Sequence, residues 1–137
     1  MIGKILALEE NPARIAELRQ ALEFPGHHLV TQTNFYNALD YMRHHHVDLV
    51  ICDVHLESAS GFEFLRALNR NPQTANVPFV FYCINPSEFT KSFISGLRVA
   101  AAALGAEGVI MMDEFDAGTL CREIEKHLPV GLERKCA

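Results

Sequence analysis

Tryptophan is absent, and no apolar run approaches the roughly 20 residues that a membrane-spanning helix needs. The opening stretch MIGKILALEE turns acidic too soon for a secretory signal, so a soluble, cytoplasmic protein is expected. Basic runs are missing as well. The 12 Lys and Arg residues are scattered singly against 17 Asp and Glu, for a net charge of −5, which removes the electrostatic footprint that nucleic acid or an anionic membrane requires. Direct contact with either is not expected. The four cysteines, Cys52, Cys83, Cys121 and Cys136, show no CxxC or Cys/His ligand spacing, and two lie inside apolar, strand-like runs, so reduced thiols are the simplest reading. There is no Gly-rich phosphate loop and no Ser-His-Asp order, which argues against a nucleotide binder or a hydrolase. What remains, 137 residues of which 49% are hydrophobic and 21% charged, is the composition of one ordinary globular domain.

Short apolar runs alternate with helical periodicity, the pattern of a parallel sheet covered by helices on both faces. Ile2 to Leu8 reads as a buried strand, and Asn11-Pro12 starts a helix with Ile15, Leu18 and Leu22 on its apolar stripe. Pro25-Gly26 stops it. His28 to Gln32 reads as a second strand, and Asn34 caps a second helix carrying Ala38, Leu39 and Met42. The run VDLVICD, Val47 to Asp53, is almost wholly apolar and ends in a carboxylate, as a central strand buried on both faces should. Ser60-Gly61 opens a third helix, PFVFYCI (Pro78 to Ile84) is a fourth strand, and Phe89, Phe93, Leu97, Ala100 and Leu104 follow at helical steps as the apolar stripe of a long fourth helix, for which core packing is the default expectation. Val109 to Met112 and Ala117 to Leu128 complete a fifth repeat. One domain over residues 1–130 and a short tail, 131–137, are expected. His27-His28 and His44-His45-His46 read as solvated segments rather than metal ligands.

Open parallel sheets bind ligands beyond the carboxyl ends of their strands, where strand order reverses. With the order 2-1-3-4-5, Glu9-Glu10 after the first strand and Asp53 at the end of the third converge there. Crowded carboxylates raise one another's pKa, and a hard divalent cation with oxygen ligands relieves them, so a Mg²⁺ site is expected.

Asp53 lies in a wider pattern, DLVICDVHLESASGFEFL, with Glu57 four residues on, at a turn, and Gly61 eight residues on. Together with KILALEENPARIAELRQAL, the strand after Pro78 and Gly105-Ala106 before the last strand, this segment resembles the receiver domain of two-component response regulators, from Lys4 to about Leu128. The resemblance implies a flavodoxin-like (βα)5 fold in which Asp53 takes a phosphoryl group from a histidine kinase or phosphotransfer partner. It also implies Mg²⁺ held by Glu9, Glu10, Asp53 and the backbone carbonyl of His55. Signalling would then run through contacts with a downstream effector, or a homodimer through the fourth helix, fifth strand and fifth helix, with no further enzymatic activity. Several positions depart from the family's pattern. The acid pair is Glu-Glu rather than Asp-Asp or Glu-Asp. Cys83 replaces the family's Ser or Thr, and Met112-Asp113 replaces its Lys-Pro, with no Lys or Arg between Gly105 and Phe115 to stand in. Val109 falls where an aromatic switch residue belongs, and the 22 positions from Cys83 to Gly105 enlarge the fourth-helix region. These departures keep a second reading in view, a degenerate receiver that binds proteins without phosphorylation.

Overall fold

The computed structural model describes residues 2–55 and 61–136. Five strands, β1 (Lys4–Leu8), β2 (His28–Gln32), β3 (Leu49–Asp53), β4 (Phe79–Ile84) and β5 (Gly108–Met112), form one parallel sheet in the order β2-β1-β3-β4-β5. The helices are α1 (Pro12–Leu18), continued by a π-helical stretch over Arg19–Glu23, then α2 (Phe35–His44), α3 (Gly61–Arg70), α4 (Glu88–Ala103) and α5 (Ala117–Glu125). The expected α/β architecture and strand order are both present.

Local chemistry explains where the helices begin. Asn11 accepts hydrogen bonds from the backbone N–H groups of Ala13 and Arg14 while Pro12 takes the first turn, and Asn34, Ser87 and Asp116 each accept from a backbone N–H three residues on. Every residue of β3 and β4 is buried, as apolar strands covered on both faces must be. Side chains alternating along the strands feed two cores. Ile5, Ala7, Ile51, Tyr82 and Met112 pack with Leu18, Leu22, Leu120 and Ile124 under α1 and α5. Leu6, Leu8, Val50, Cys52, Phe79 and Phe81 pack with Met42, Phe64, Leu68 and Ala101 under α2, α3 and α4. Gly61 sits where α3 meets this second core, and a Cβ there would lie 2.7 Å from Phe81 Cε1 and 3.0 Å from Cys52 Sγ, so only glycine permits the approach.

Three expectations are corrected. On α4 the packed face is not the one marked by Phe89 and Phe93, which are 74% and 54% exposed. Leu97 and Leu104 of the expected stripe do turn inward, but Thr90, Ile94 and Ala101 replace Phe89, Phe93 and Ala100, each one position later. The reduced-thiol reading fails for one pair, because Cys121 and Cys136 form a disulfide that ties the chain after α5 back to that helix, while Cys52 and Cys83 are free thiols. His27 is not solvated. It is 2% exposed and bonded to Glu125, whereas His28 and His44 to His46 are exposed as expected. Ser60 and Glu57, assigned to the helix start and the turn, lie outside the described residues.

Candidate functional site

The chain runs from β1 through α1 to β2 on one side and then crosses to β3 on the other, so the ends of β1 and β3 flank the point where strand order reverses. A cleft opens there, lined by Glu9, Glu10, Asn11, Pro12, Arg14, Asp53, His55, Ile84 and Asn85. Asn85 holds a left-handed backbone, φ 54°, and its N–H donates to the Met112 carbonyl at 2.8 Å, which carries the chain out of β4 along the rim.

Glu9 forms the floor and is 1% exposed. Its Oε1 accepts from the Tyr82 hydroxyl at 2.7 Å, and its Oε2 accepts from the backbone N–H groups of Glu10 at 3.0 Å and Asn11 at 3.1 Å. Burial, a hydrogen bond to Asp53 and the charge of Asp53 push its carboxyl from the ordinary 4.5 to about 7, against the opposing pull of Tyr82 and the Asn11 amide. Burial, with the charges of Glu9 and Asp53, drives the Tyr82 hydroxyl well above its ordinary value, so it remains a donor. Asp53 Oδ1 accepts from the His55 backbone N–H at 2.9 Å.

The expected residues are thus divided. Glu9 and Asp53 are brought into contact, and Glu10 and His55 border the same cleft. Carboxylate and carbonyl oxygens are the donors a hard divalent cation takes, and Glu10, Asp53 and His55 line the cleft that could offer them, whereas both oxygens of Glu9 already hold a hydroxyl and two amides, which suits it to shaping the floor. Cys83 is buried, and its Sγ lies 3.3 Å from His55 Nε2. Burial first, and then the charge of Asp53, push this thiol up to about 11 even though Arg14 pulls the other way, so it stays protonated. Met112 is 8% exposed within the core under α1 and α5, and no cation enters the cleft from β5.

Two residues of the site carried no sequence assignment. Arg14, on the first turn of α1, brings a positive charge to the cleft beside the end of β4. Its Nη2 donates to the Ile84 carbonyl at 3.1 Å, and its guanidinium pairs with Glu17. The acids therefore have a cation beside them, contrary to what the missing lysine implied. Its position follows from the cap at Asn11, which starts α1 at the mouth of the cleft. Tyr82 is the other, and its signal was a hydroxyl inside an otherwise apolar strand, since a buried Tyr O–H needs a partner.

A (βα)5 sheet in this order with acids gathered at the strand-order reversal defines a receiver-type signalling domain. The chain belongs to the response regulator receiver domain family, whose model matches residues 5–125. Curated relatives include the polar-differentiation response regulator DivK of Brucella ovis and of Brucella suis, each 26% identical over 80 residues. Each match covers 58% of this chain and 65% of the relative, so this chain spans about two thirds of their length. Among solved structures, the chemotaxis response regulator CheY4 of Vibrio cholerae superposes with a TM-score of 0.76 at 22% identity, over 93% of this chain and 100% of that one. A response regulator from Thermotoga maritima gives 0.74 at 17% identity, over 92% and 97%. At these identities the likeness to solved structures establishes the fold. No helix among the described residues is long and apolar enough to cross a membrane.

Proposed function

We propose that this receiver domain is phosphorylated on Asp53 by a histidine kinase or phosphotransfer protein and signals through protein contacts. The observation that carries the reading is the placement of Asp53 at the end of the central strand, bordering an acid-lined cleft that also holds a guanidinium. One Asp53 oxygen attacks the phosphorus of a phosphohistidine, the new O–P bond forms as the P–N bond breaks, and the imidazole leaves. Glu10, Asp53 and the His55 carbonyl would hold Mg²⁺, which neutralises charge on the phosphoryl oxygens when bound. The His55 amide orients the Asp53 carboxylate. Arg14 supplies the fixed positive charge that β5 lacks, and breaking its bond to the Ile84 carbonyl frees donors for the phosphoryl group.

The response to phosphorylation differs from the family's usual one, because the Cys83 thiol is a weak donor engaged with His55 and Val109 is not aromatic. The exposed Phe89 and Phe93 on α4, with ring centroids 4.8 Å apart, mark the α4–β5–α5 face as the surface for an effector or a second copy. The burial of Met112 at the lysine position favours the second reading, a receiver that binds partners without phosphorylation. Incubation with acetyl phosphate and Mg²⁺ followed by intact-mass measurement separates the two. One added phosphoryl group on the wild type and none on Asp53→Asn supports phosphotransfer. No added group on the folded wild type transfers the conclusion to the second reading.

A further inference from the structure

At the opposite end of the sheet from the acid cleft, a second group of polar side chains is buried under α1 and α5. His27 leads into β2, Cys121 and Glu125 stand four residues apart on one face of α5, and the chain after α5 returns Cys136 to Cys121. The ligand atoms of His27, Cys121 and Glu125 lie within 4.8 Å of one another, and all three residues are buried. His27 Nε2 bonds Glu125 Oε2 at 2.7 Å, but His27 Nδ1 is buried with no hydrogen-bond partner. A buried polar atom left unsatisfied calls for an explanation, and an imidazole and a carboxylate close to the Cys121 sulfur, with Cys136 bonded to that sulfur, supply the kinds of donor a tetrahedral zinc centre takes.

We propose that, when the Cys121–Cys136 bond is reduced, His27, Cys121, Glu125 and Cys136 bind one zinc ion. The proposal is independent of phosphorylation at Asp53. Reduction by a dithiol delivers two electrons and two protons, leaving two cysteine thiols and the reductant as its own disulfide. Zinc then displaces both thiol protons and forms two Zn–S bonds, with one imidazole nitrogen of neutral His27 and one carboxylate oxygen completing four donors. In the oxidised protein the two sulfurs are bonded to each other and cannot serve as thiolates. The corner thus has two closed forms, a disulfide and a metal centre, and each fastens the chain after α5 to the core. In a reducing compartment the metal form is the one that persists.

Cobalt(II) reports the site directly, because thiolate ligation gives an intense sulfur-to-cobalt charge-transfer band that the oxygen donors of the acid cleft cannot produce. The full chain carrying Asp53→Asn, which weakens binding at the cleft, is reduced, freed of metal and titrated with cobalt and then zinc. One equivalent of cobalt should raise the band, and one equivalent of zinc should abolish it. Oxidised protein should give no band. Cys136→Ser, near the chain's end and away from the sheet, should lower zinc affinity by at least about 100-fold, the upper end of what loss of a supporting contact costs. Its circular dichroism reports whether the fold is kept. His27→Gln should weaken binding likewise. Absence of the band in reduced protein, or its full retention in folded Cys136→Ser, overturns the proposal.

Discussion

Two glutamates, Glu9 and Glu125, both show little surface, at 1% and 3% exposure, yet Glu9 lies deeper and the two behave oppositely. Burial pushes both upward. At Glu9 the neighbouring acid Asp53 adds to that push, and the carboxyl reaches about 7. At Glu125 the Lys135 amide and His27 more than offset burial, and its carboxyl is held below the ordinary value. Burial sets the cost of an isolated charge, and the partner decides whether that cost is felt. The corner under α5 is therefore compensated by its own side chains, whereas in the cleft Asp53 still pushes Glu9 upward despite Arg14 in the lining.

The compensated corner should show the largest loss on substitution. Glu125→Gln removes the carboxylate that His27 and the Lys135 amide share, and weakening these buried hydrogen bonds should cost about 1–3 kcal/mol in urea denaturation of the oxidised protein. A cost well under that would show the pair to be dispensable. In the cleft, the folded protein holds the Glu9 proton more tightly than the unfolded chain does. With chelator present, stability should thus fall as pH rises from 4.5 to about 7, by up to about 3 kcal/mol, and Glu9→Gln should flatten the profile. Gly61→Ala forces a Cβ against Phe81 and Cys52 and should cost about 1–3 kcal/mol with the cleft chemistry unaltered. Smallest of all, Phe89→Ser on the exposed face of α4 should change stability by less than about 0.5 kcal/mol, while light scattering or pull-down shows weaker association.

The strands were the most legible part of the chain. VDLVICD and PFVFYCI are buried on both faces, and a nearly unbroken apolar run announces that without help from distant residues. The helix starts at Asn11 and Asn34 were equally local, since each cap acts within three residues. Helical periodicity located α4 and placed Leu97 and Leu104 correctly but erred over its first turns, because Phe89 is more apolar than Thr90 and only packing against the sheet decides which turns inward. In the site, Asp53 and the acids after β1 followed from strand ends. Tyr82 beneath Glu9 and the disulfide between Cys121 and Cys136 are contacts between distant segments, and no spacing rule registers them. His27 shows the same limit, since its partner lies 98 residues away.

Glu9 and Asp53 repel one another in the cleft that Glu10 borders, and the proposed divalent cation would relieve them. Thermal melting near pH 7.5, with chelator and with Mg²⁺, on the wild type and Asp53→Asn, tests this most directly. In chelator, Asp53→Asn should melt above the wild type because one repelling charge is gone. Mg²⁺ should raise the wild-type melting temperature through binding to the folded state alone, and raise that of Asp53→Asn much less. If neither the substitution nor the metal stabilises the protein, Glu9 and Asp53 are not coupled in this way and no divalent cation completes the site.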